Sequence, residues 1–377
     1  MRIAFNARLL LQNQLEGIGW HGYQIISRMI INHPEHTFLL YYDRKKNIIV
    51  PEGKNVIVKS LFPVSRHPLL LWIWTQISLR NAVLRDKVDI YYSPEPIMPL
   101  SIPIPRIITV HDISPKVLPD SMPIDHSLYY RYILRRNIPK AIKIFAVSAY
   151  TKKEIVSHYK VLPEKIEVIY NAARSEFKPI STIDKIATRE KYSQGFPYFL
   201  SLSSIHQRKN IDKVVQSFNT YTDKYQTEQR LIIVGRKMGL FADVEESISS
   251  SKFQNYIIQL GYLPDAEITK ILASADALIN LSEYEGFGMQ LVESFQSGVP
   301  VIASEKSCYP EISGGAAILV NPRDIFQIAE QMGKLSTDTP NLVKAGLERA
   351  KDFNWNDSAK RAFMFIEKAF PINAISN

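Results

Sequence analysis

Two carboxylates are the residues best placed to do chemistry. Glu285 and Glu293 are spaced E-x7-E, with Gly286-Phe287-Gly288 between them. The surrounding stretch, Ser282 to Ser304, follows a buried strand at Ala277–Leu281. It turns through the glycines, enters a helix from about Met289 to Gln296, stops at Gly298 and leaves on a second buried strand, Val299–Ala303. A carboxylate in a loop, open N–H groups at a helix start and a carboxylate one turn inside that helix suit a ligand with both hydroxyls and phosphates. A nucleotide sugar is such a ligand. The same pattern also describes two solvated glutamates around an ordinary strand–turn–helix.

Other residues sharpen the choice. Arg208-Lys209-Asn210 follows the strand Tyr198–Leu202 and opens the next helix. Two cations there would hold a diphosphate and stabilise it as a leaving group. Gly235-Arg236-Lys237 closes the following strand in the same way and is the weaker candidate. His111-Asp112 ends an apolar strand, where a histidine can meet a sugar hydroxyl or act as a base, or merely cap a loop. Gly17-Ile18-Gly19-Trp20-His21-Gly22 matches G-x-G-x-x-G, and Asp43 lies where a ribose-binding acid would, so an NAD-dependent oxidoreductase is an alternative. Against it, Ala7 to Glu16 separate the first strand from the first glycine. No D-x-D, P-loop, H-E-x-x-H or G-x-S-x-G occurs. Basic side chains, not a bridging metal, are left to carry phosphate charge.

The elements that must position these residues alternate. Strands are expected at Arg2–Asn6, Thr37–Asp43, Asn55–Lys59, Val88–Tyr92, Arg106–Val110, Lys143–Ser148 and Ile166–Tyr170. A second series is expected at Tyr198–Leu202, Arg230–Val234, Tyr256–Leu260, Ala277–Leu281, Val299–Ala303 and Ala316–Val320. Helical patterns separate them, including Leu70–Leu84, His126–Arg136, Asp324–Leu335 and Asn341–Lys351. Apolar strands alternating with helices predict parallel sheets covered on both faces. Ser175–Gly195 is polar and patternless and reads as the linker. Two doubly wound domains facing across a cleft follow, with ligands at the carboxyl ends of the strands.

Bulk properties narrow the class. The 377 residues are 46% apolar and 22% charged, as in a soluble globular chain of two domains. The start, MRIAFNARLL, runs straight into a strand, so no signal peptide is expected, and no window is apolar enough to span a membrane. The single Cys308 excludes an internal disulfide or cysteine cluster and matches a reducing cytoplasm. The net charge of +9 points to an anionic partner, or to a solvated basic surface with no specific partner. Without a nucleic-acid motif, phosphorylated substrates and an anionic membrane surface rank above nucleic acid. Leu61–Leu79, with Arg66, His67, Trp72 and Trp74, reads as a membrane-facing amphipathic element or an internal helix.

Together these residues resemble the family 4 retaining glycosyltransferases, which have the GT-B fold. The resemblance spans nearly the whole chain. It rests on Gln207–Asn210, Gly261-Tyr262-Leu263-Pro264-Asp265, Glu285–Gly288 with Glu293, Gly298–Ser304 and Pro310-Glu311. In the first half it rests on Gly17-Ile18-Gly19, Thr109–Asp112, Val147-Ser148 and Val168–Asn171. It implies a Rossmann-like acceptor domain over 1–177, a Rossmann-like nucleotide-sugar domain over 178–352, and a C-terminal helix over 353–377 returning to the first domain. Lys209 with Arg208 would bind the donor diphosphate, and Glu293 the ribose. Glu285, beside Gly286, Phe287 and Gly288, would contact the transferred sugar, as would His111. Gly19 would admit the phosphate. No cofactor is implied beyond the nucleotide diphosphate sugar substrate. The acceptor would be a glycan or lipid-linked glycan in envelope polysaccharide synthesis, at the cytoplasmic side of the membrane. The forms of His111-Asp112 and Gln207–Asn210 favour GDP-mannose. Two departures stand out: Ser203-Ser204 where members carry Gly-Arg or Gly-Thr, and Gln290 where a proline is common. The same fold would also suit a non-catalytic nucleotide-sugar binder or a nucleotide-sugar epimerase.

Overall fold

The computed structural model describes residues 1–12, 15, 17–121, 123–238 and 241–370. The chain divides into two compact units. One comprises Met1–Val117, Ile124–Asn171 and Asn354–Asn377; the other comprises Leu118–Pro123 and Ala172–Phe353. Apart from Leu118–Pro123, the boundary between them falls after Asn171, against the expected one after residue 177.

Unit 1 holds a seven-stranded sheet: β1 (Arg2–Asn6), β2 (Thr37–Tyr42), β3 (Val56–Ser60), β4 (Ile90–Ser93), β5 (Arg106–Val110), β6 (Lys143–Ala146) and β7 (Ile166–Val168). Their order is β3-β2-β1-β4-β5-β6-β7, with every pairing parallel. Unit 2 holds six parallel strands: β8 (Tyr198–Leu202), β9 (Arg230–Val234), β10 (Ile257–Gly261), β11 (Ala277–Asn280), β12 (Val301–Ser304) and β13 (Ile318–Val320). They run in the order β10-β9-β8-β11-β12-β13. In both sheets the strand order reverses once, between β1 and β4 and between β8 and β11. Loops leaving the carboxyl ends of strands at such a reversal part to either side and leave a crevice for ligand. The central strands are mostly apolar because helices cover both of their faces; β4, β9, β11 and β12 are buried at every residue.

Three expectations are corrected. The linker Ser175–Gly195 contains a helix, Thr182–Ser193, capped by Ser181 Oγ, which accepts from Asp184 N. Only Thr188 and Ser193 are buried in it, so it has no apolar stripe to read. Polar bonds dock it instead: Arg189 donates to Ser274 O at 3.0 Å and to Asp276 at 2.6 Å. The two helices expected at Asp324–Leu335 and Asn341–Lys351 are one helix, Ile325–Ala350, which continues through Pro340. Proline costs a helix one hydrogen bond and some bending, which flanking turns can sustain. The helix expected over Leu70–Leu84 runs from Pro68 to Arg85 with a π-helical segment at Trp74–Leu79. The extra residue per turn buries Trp74, Thr75 and Leu79 while Trp72 and Ile77 stay outside.

The last helix, Trp355–Ala369, belongs to unit 1, where it packs on the helix Gly17–Asn32. Arg28 Nε donates to Asn356 at 2.7 Å, Ser358 Oγ donates to Tyr170 O at 2.7 Å, and Phe363 stacks on His33. Residues 371–377 of the segment 353–377 lie outside the described residues.

Candidate active site

In unit 2 the loops after β8 and β11 flank the sheet reversal and are laced together. Gln207–Lys209 forms a short 3-10 turn, and Asn210 follows in the left-handed region at φ 52°. Glu283 N donates to Arg208 O at 3.0 Å, and Asn210 Nδ2 donates to Leu281 O at 2.9 Å. Arg208 also donates to Tyr284 O. Lys209, almost fully buried, donates its ammonium to Glu285, and Arg208 lies 3.4 Å from the same carboxylate. Glu285 N in turn donates to Ser307 Oγ at 3.1 Å. Burial alone would raise the pKa of Glu285. The Arg208 and Lys209 charges outweigh burial and hold it down to about 2. Arg208, Lys209 and Glu285, chosen from sequence, thus form one contiguous charged cluster.

The glycine turn carries the chain from Glu285 into the helix Met289–Gln296. Gly288 sits at φ 76°, and a Cβ there would lie 2.7 Å from the Tyr309 ring, so only glycine fits. Phe287 is buried edge-on to Phe353 at 5.5 Å. Glu293 is buried on the helix, and Arg174 Nε approaches it at 3.9 Å. Arg174 commits its Nη1 to Asp265 at 2.6 Å. Burial dominates at Glu293 and raises its pKa to about 7, with Arg174 opposing and Asp265 reinforcing the shift. Arg174 was not among the residues singled out from sequence, because an isolated arginine carries no spacing signal. Neither was His206, whose Nδ1 is buried without a hydrogen-bond partner among the described residues.

In unit 1, His111 follows β5, the strand paired with β4. Its Nε2–H donates to Pro94 O at 2.9 Å, which leaves Nδ1 as the acceptor nitrogen. Burial lowers its pKa, against the Pro94 hydrogen bond and Asp112 and Glu95, so the ring is neutral near pH 7. Beside it, at the sheet reversal, Glu95 binds Arg8 in a buried pair of 2.5 Å and accepts from Asn6 at 2.9 Å.

The G-x-G-x-x-G stretch has a packing role. The helix begins at Gly17, well after β1 ends at Asn6. A Cβ on Gly19 would lie 2.8 Å from Leu9 O, and one on Gly22 would lie 3.1 Å from Pro94. His21 is a core histidine: its Nδ1 meets Asn171 Oδ1 at 2.7 Å, and burial lowers its pKa to about 3. The Asp43 carboxylate is taken up by Arg44 at 2.7 Å and by Ser65 N and Oγ. None of this resembles a ribose acid beside a strand-end glycine turn.

Comparison with known domains decides the family. Residues 21–177 match Glycosyltransferase Family 4, and residues 183–353 match Glycosyl transferases group 1. Each half of the chain thus carries a glycosyltransferase domain, the first of family 4 and the second of group 1. The O-antigen chain mannosyltransferase B of Escherichia coli is 27% identical over 375 residues, covering 95% of this chain and 97% of that one. The O-antigen chain mannosyltransferase RfbU of Salmonella typhimurium is 30% identical over 219 residues, 58% of this chain and 57% of that one. Among solved structures, Anabaena HepE in complex with UDP-glucose superposes with a TM-score of 0.74 at 16% identity, covering 98% of this chain and 100% of that chain. The fold of this glycosyltransferase is therefore GT-B.

The two departures from the family pattern lie on the loop after β8 and at the start of the helix after the glycine turn. Ser203-Ser204 opens the loop that carries Arg208 and Lys209, and Gly235 backs it: a Cβ there would fall 1.8 Å from Ser203 O. Arg236 stacks over Tyr262 at 3.9 Å, and Lys237 pairs with Glu245. Gln290 occupies the first turn of the helix Met289–Gln296, directly after the glycine turn.

Proposed function

We propose that this glycosyltransferase moves mannose from GDP-mannose to a growing envelope glycan with retention of anomeric configuration and without a metal. The observation that carries this reading is the Arg208–Lys209–Glu285 cluster at the sheet reversal. Before donor binds, the two cations hold Glu285. A donor diphosphate would draw Arg208 and Lys209 to its oxygens, and the released Glu285 carboxylate would accept from the sugar hydroxyls. Glu293 would accept from the ribose hydroxyls, with Gly286–Gly288 lining the pyranose. His111, neutral, would hydrogen-bond the sugar through its ring. The bond from C1 to the phosphate oxygen breaks and the bond from C1 to the acceptor oxygen forms on the same face. The acceptor proton passes to the departing phosphate oxygen, so no protein base is demanded. The relatives named as O-antigen mannosyltransferases support mannose and a glycan acceptor. HepE, solved with UDP-glucose, supports a nucleotide sugar as donor.

The test is radiolabelled transfer from a panel including GDP-mannose and UDP-glucose to a glycan acceptor mixture, with and without EDTA. Transfer from GDP-mannose that is insensitive to EDTA and gives an α-linked product is expected. Lys209→Ala and Glu285→Ala should each lower turnover by a factor of about a hundred or more, the scale of losing a charge-stabilising group. Full turnover in both variants would overturn the assignment.

The same reading puts the protein at an anionic membrane face. No described helix is long and apolar enough to cross a membrane. Unit 1 nevertheless exposes Phe62 (84%), Leu69 and Trp72 beside Ile124 (79%), Leu128 and Tyr132. Trp72 and Tyr132 line one groove, so the two apolar stripes adjoin. Exposed Arg66, Arg131, Arg135 and Arg136 border them. Apolar side chains edged by cations suit acidic headgroups over acyl chains. Flotation with phosphatidylglycerol liposomes, lost in Phe62→Ser/Trp72→Ser, is expected. Equal recovery on neutral liposomes would sink charge-driven attachment.

A further inference from the structure

His206 sits on the turn that carries the two cations, yet the donor reading gives it no role. Its Nδ1 is buried and has no hydrogen-bond partner among the described residues. A buried polar atom left unpaired is costly and asks for an explanation, a bound ion or ligand among them. The charged groups around the ring are Arg208 and Lys209 on its own turn and Glu285 from the loop after β11. Those three sum to one positive charge. A nucleotide sugar brings a diphosphate diester with two negative charges, which would leave the enclosed cluster at minus one. One further proton restores neutrality, and an imidazole is the group able to take it near neutral pH.

Resting on the donor reading above, we propose that His206 is a third cation of the diphosphate site, neutral before donor binds and protonated as it binds, donating Nδ1–H to a phosphate oxygen. The proton comes from solvent, one per donor bound, and leaves with the nucleotide product. Without donor, burial together with Arg208 and Lys209 lowers the His206 pKa to about 4, so the ring is uncharged there. The incoming phosphates offset both cations and remove that repulsion. The loop opens on Ser203-Ser204, which brings no cation of its own; His206, further along it, supplies one only on demand.

Calorimetric titration with GDP-mannose in buffers of different ionisation enthalpy tests this, because the diphosphate diester has no group titrating near neutrality. Glu293 also titrates near pH 7 and would release a proton on binding ribose, so the readout is the difference between wild type and His206→Gln. Wild type should take up more protons per donor bound than the variant. Its affinity relative to the variant should rise as pH falls from 8 to 6, by at most about tenfold per pH unit for one proton taken up. Equal proton counts and parallel pH profiles would overturn the His206 assignment while leaving the donor site standing. No binding of GDP-mannose or UDP-glucose by wild type would overturn both. If His206→Gln fails to fold, 15N imidazole spectra of the wild type decide at pH 6.5. Donor should move the Nδ1 resonance to the protonated position, and an unmoved resonance would refute the proposal.

Discussion

Glu293 is held where its charge is unwelcome. Its pKa of about 7 in the fold, against an ordinary 4.5, means the unfolded chain loses this proton first as pH rises. Stability therefore falls between about pH 4.5 and 7 and is flat above, a penalty of about 3 kcal/mol at most. Glu293→Gln should raise the melting temperature at pH 8, leave it unchanged at pH 4, and weaken donor binding at both. A variant no more stable at pH 8 would refute the burial account. Glu285 has the opposite sign. Its pKa is depressed, so its contribution is present above about pH 4.5 and is lost as pH falls toward 2. Glu285→Gln should destabilise the unliganded protein at pH 7 by up to about 3 kcal/mol, because buried Lys209 loses its partner; denaturant titration measures it. These two glutamates and Arg208-Lys209 were legible in the sequence because glycines and apolar strands frame them. Arg174 and His206 were not. Arg174 reaches Glu293 from over a hundred residues away in the chain, and an unpaired nitrogen is a property of packing, invisible to spacing.

Among the elements, the positions of the interior strands were legible as buried runs that no solvated face interrupts. The elements that were missed carry no such signal. Thr182–Ser193 docks through Arg189 rather than an apolar stripe, and the π-helical segment at Trp74–Leu79 follows from how its neighbours fit. A proline reads as an end in sequence, yet the helix Ile325–Ala350 absorbs Pro340 within twenty-six residues. Gly235 shows what one element owes another. It follows β9, but its missing side chain is what lets Ser203 O lie against it. Gly235→Ala should displace the loop bearing His206, Arg208 and Lys209, costing more than about 2 kcal/mol. Donor affinity should fall in step with stability. Retained affinity in a destabilised variant would show that the loop holds its place without this contact.

At the scale of the molecule, the net charge and the lone buried Cys308 were plain in the sequence. The membership of the last helix could be inferred there only from resemblance, since its contacts with Gly17–Asn32 span more than three hundred positions of chain. Its buried face, Trp355, Ala359, Ala362, Phe363 and Ile366, completes the core of unit 1. Ending the chain at Phe353 should abolish the unfolding transition of unit 1 while that of unit 2 survives; two surviving calorimetric transitions would show the helix to be dispensable. The same feature sets an order of events on the ribosome. Most residues of unit 1 are made first, but the helix that covers Gly17–Asn32 is made only after all of unit 2. A chain that folds domain by domain from its N-terminus must here leave its first domain open until the second has been made. Unit 2 has no such wait, so the second domain to be translated is the first able to finish. Until then, the bare face of Gly17–Asn32 is the surface a chaperone would find.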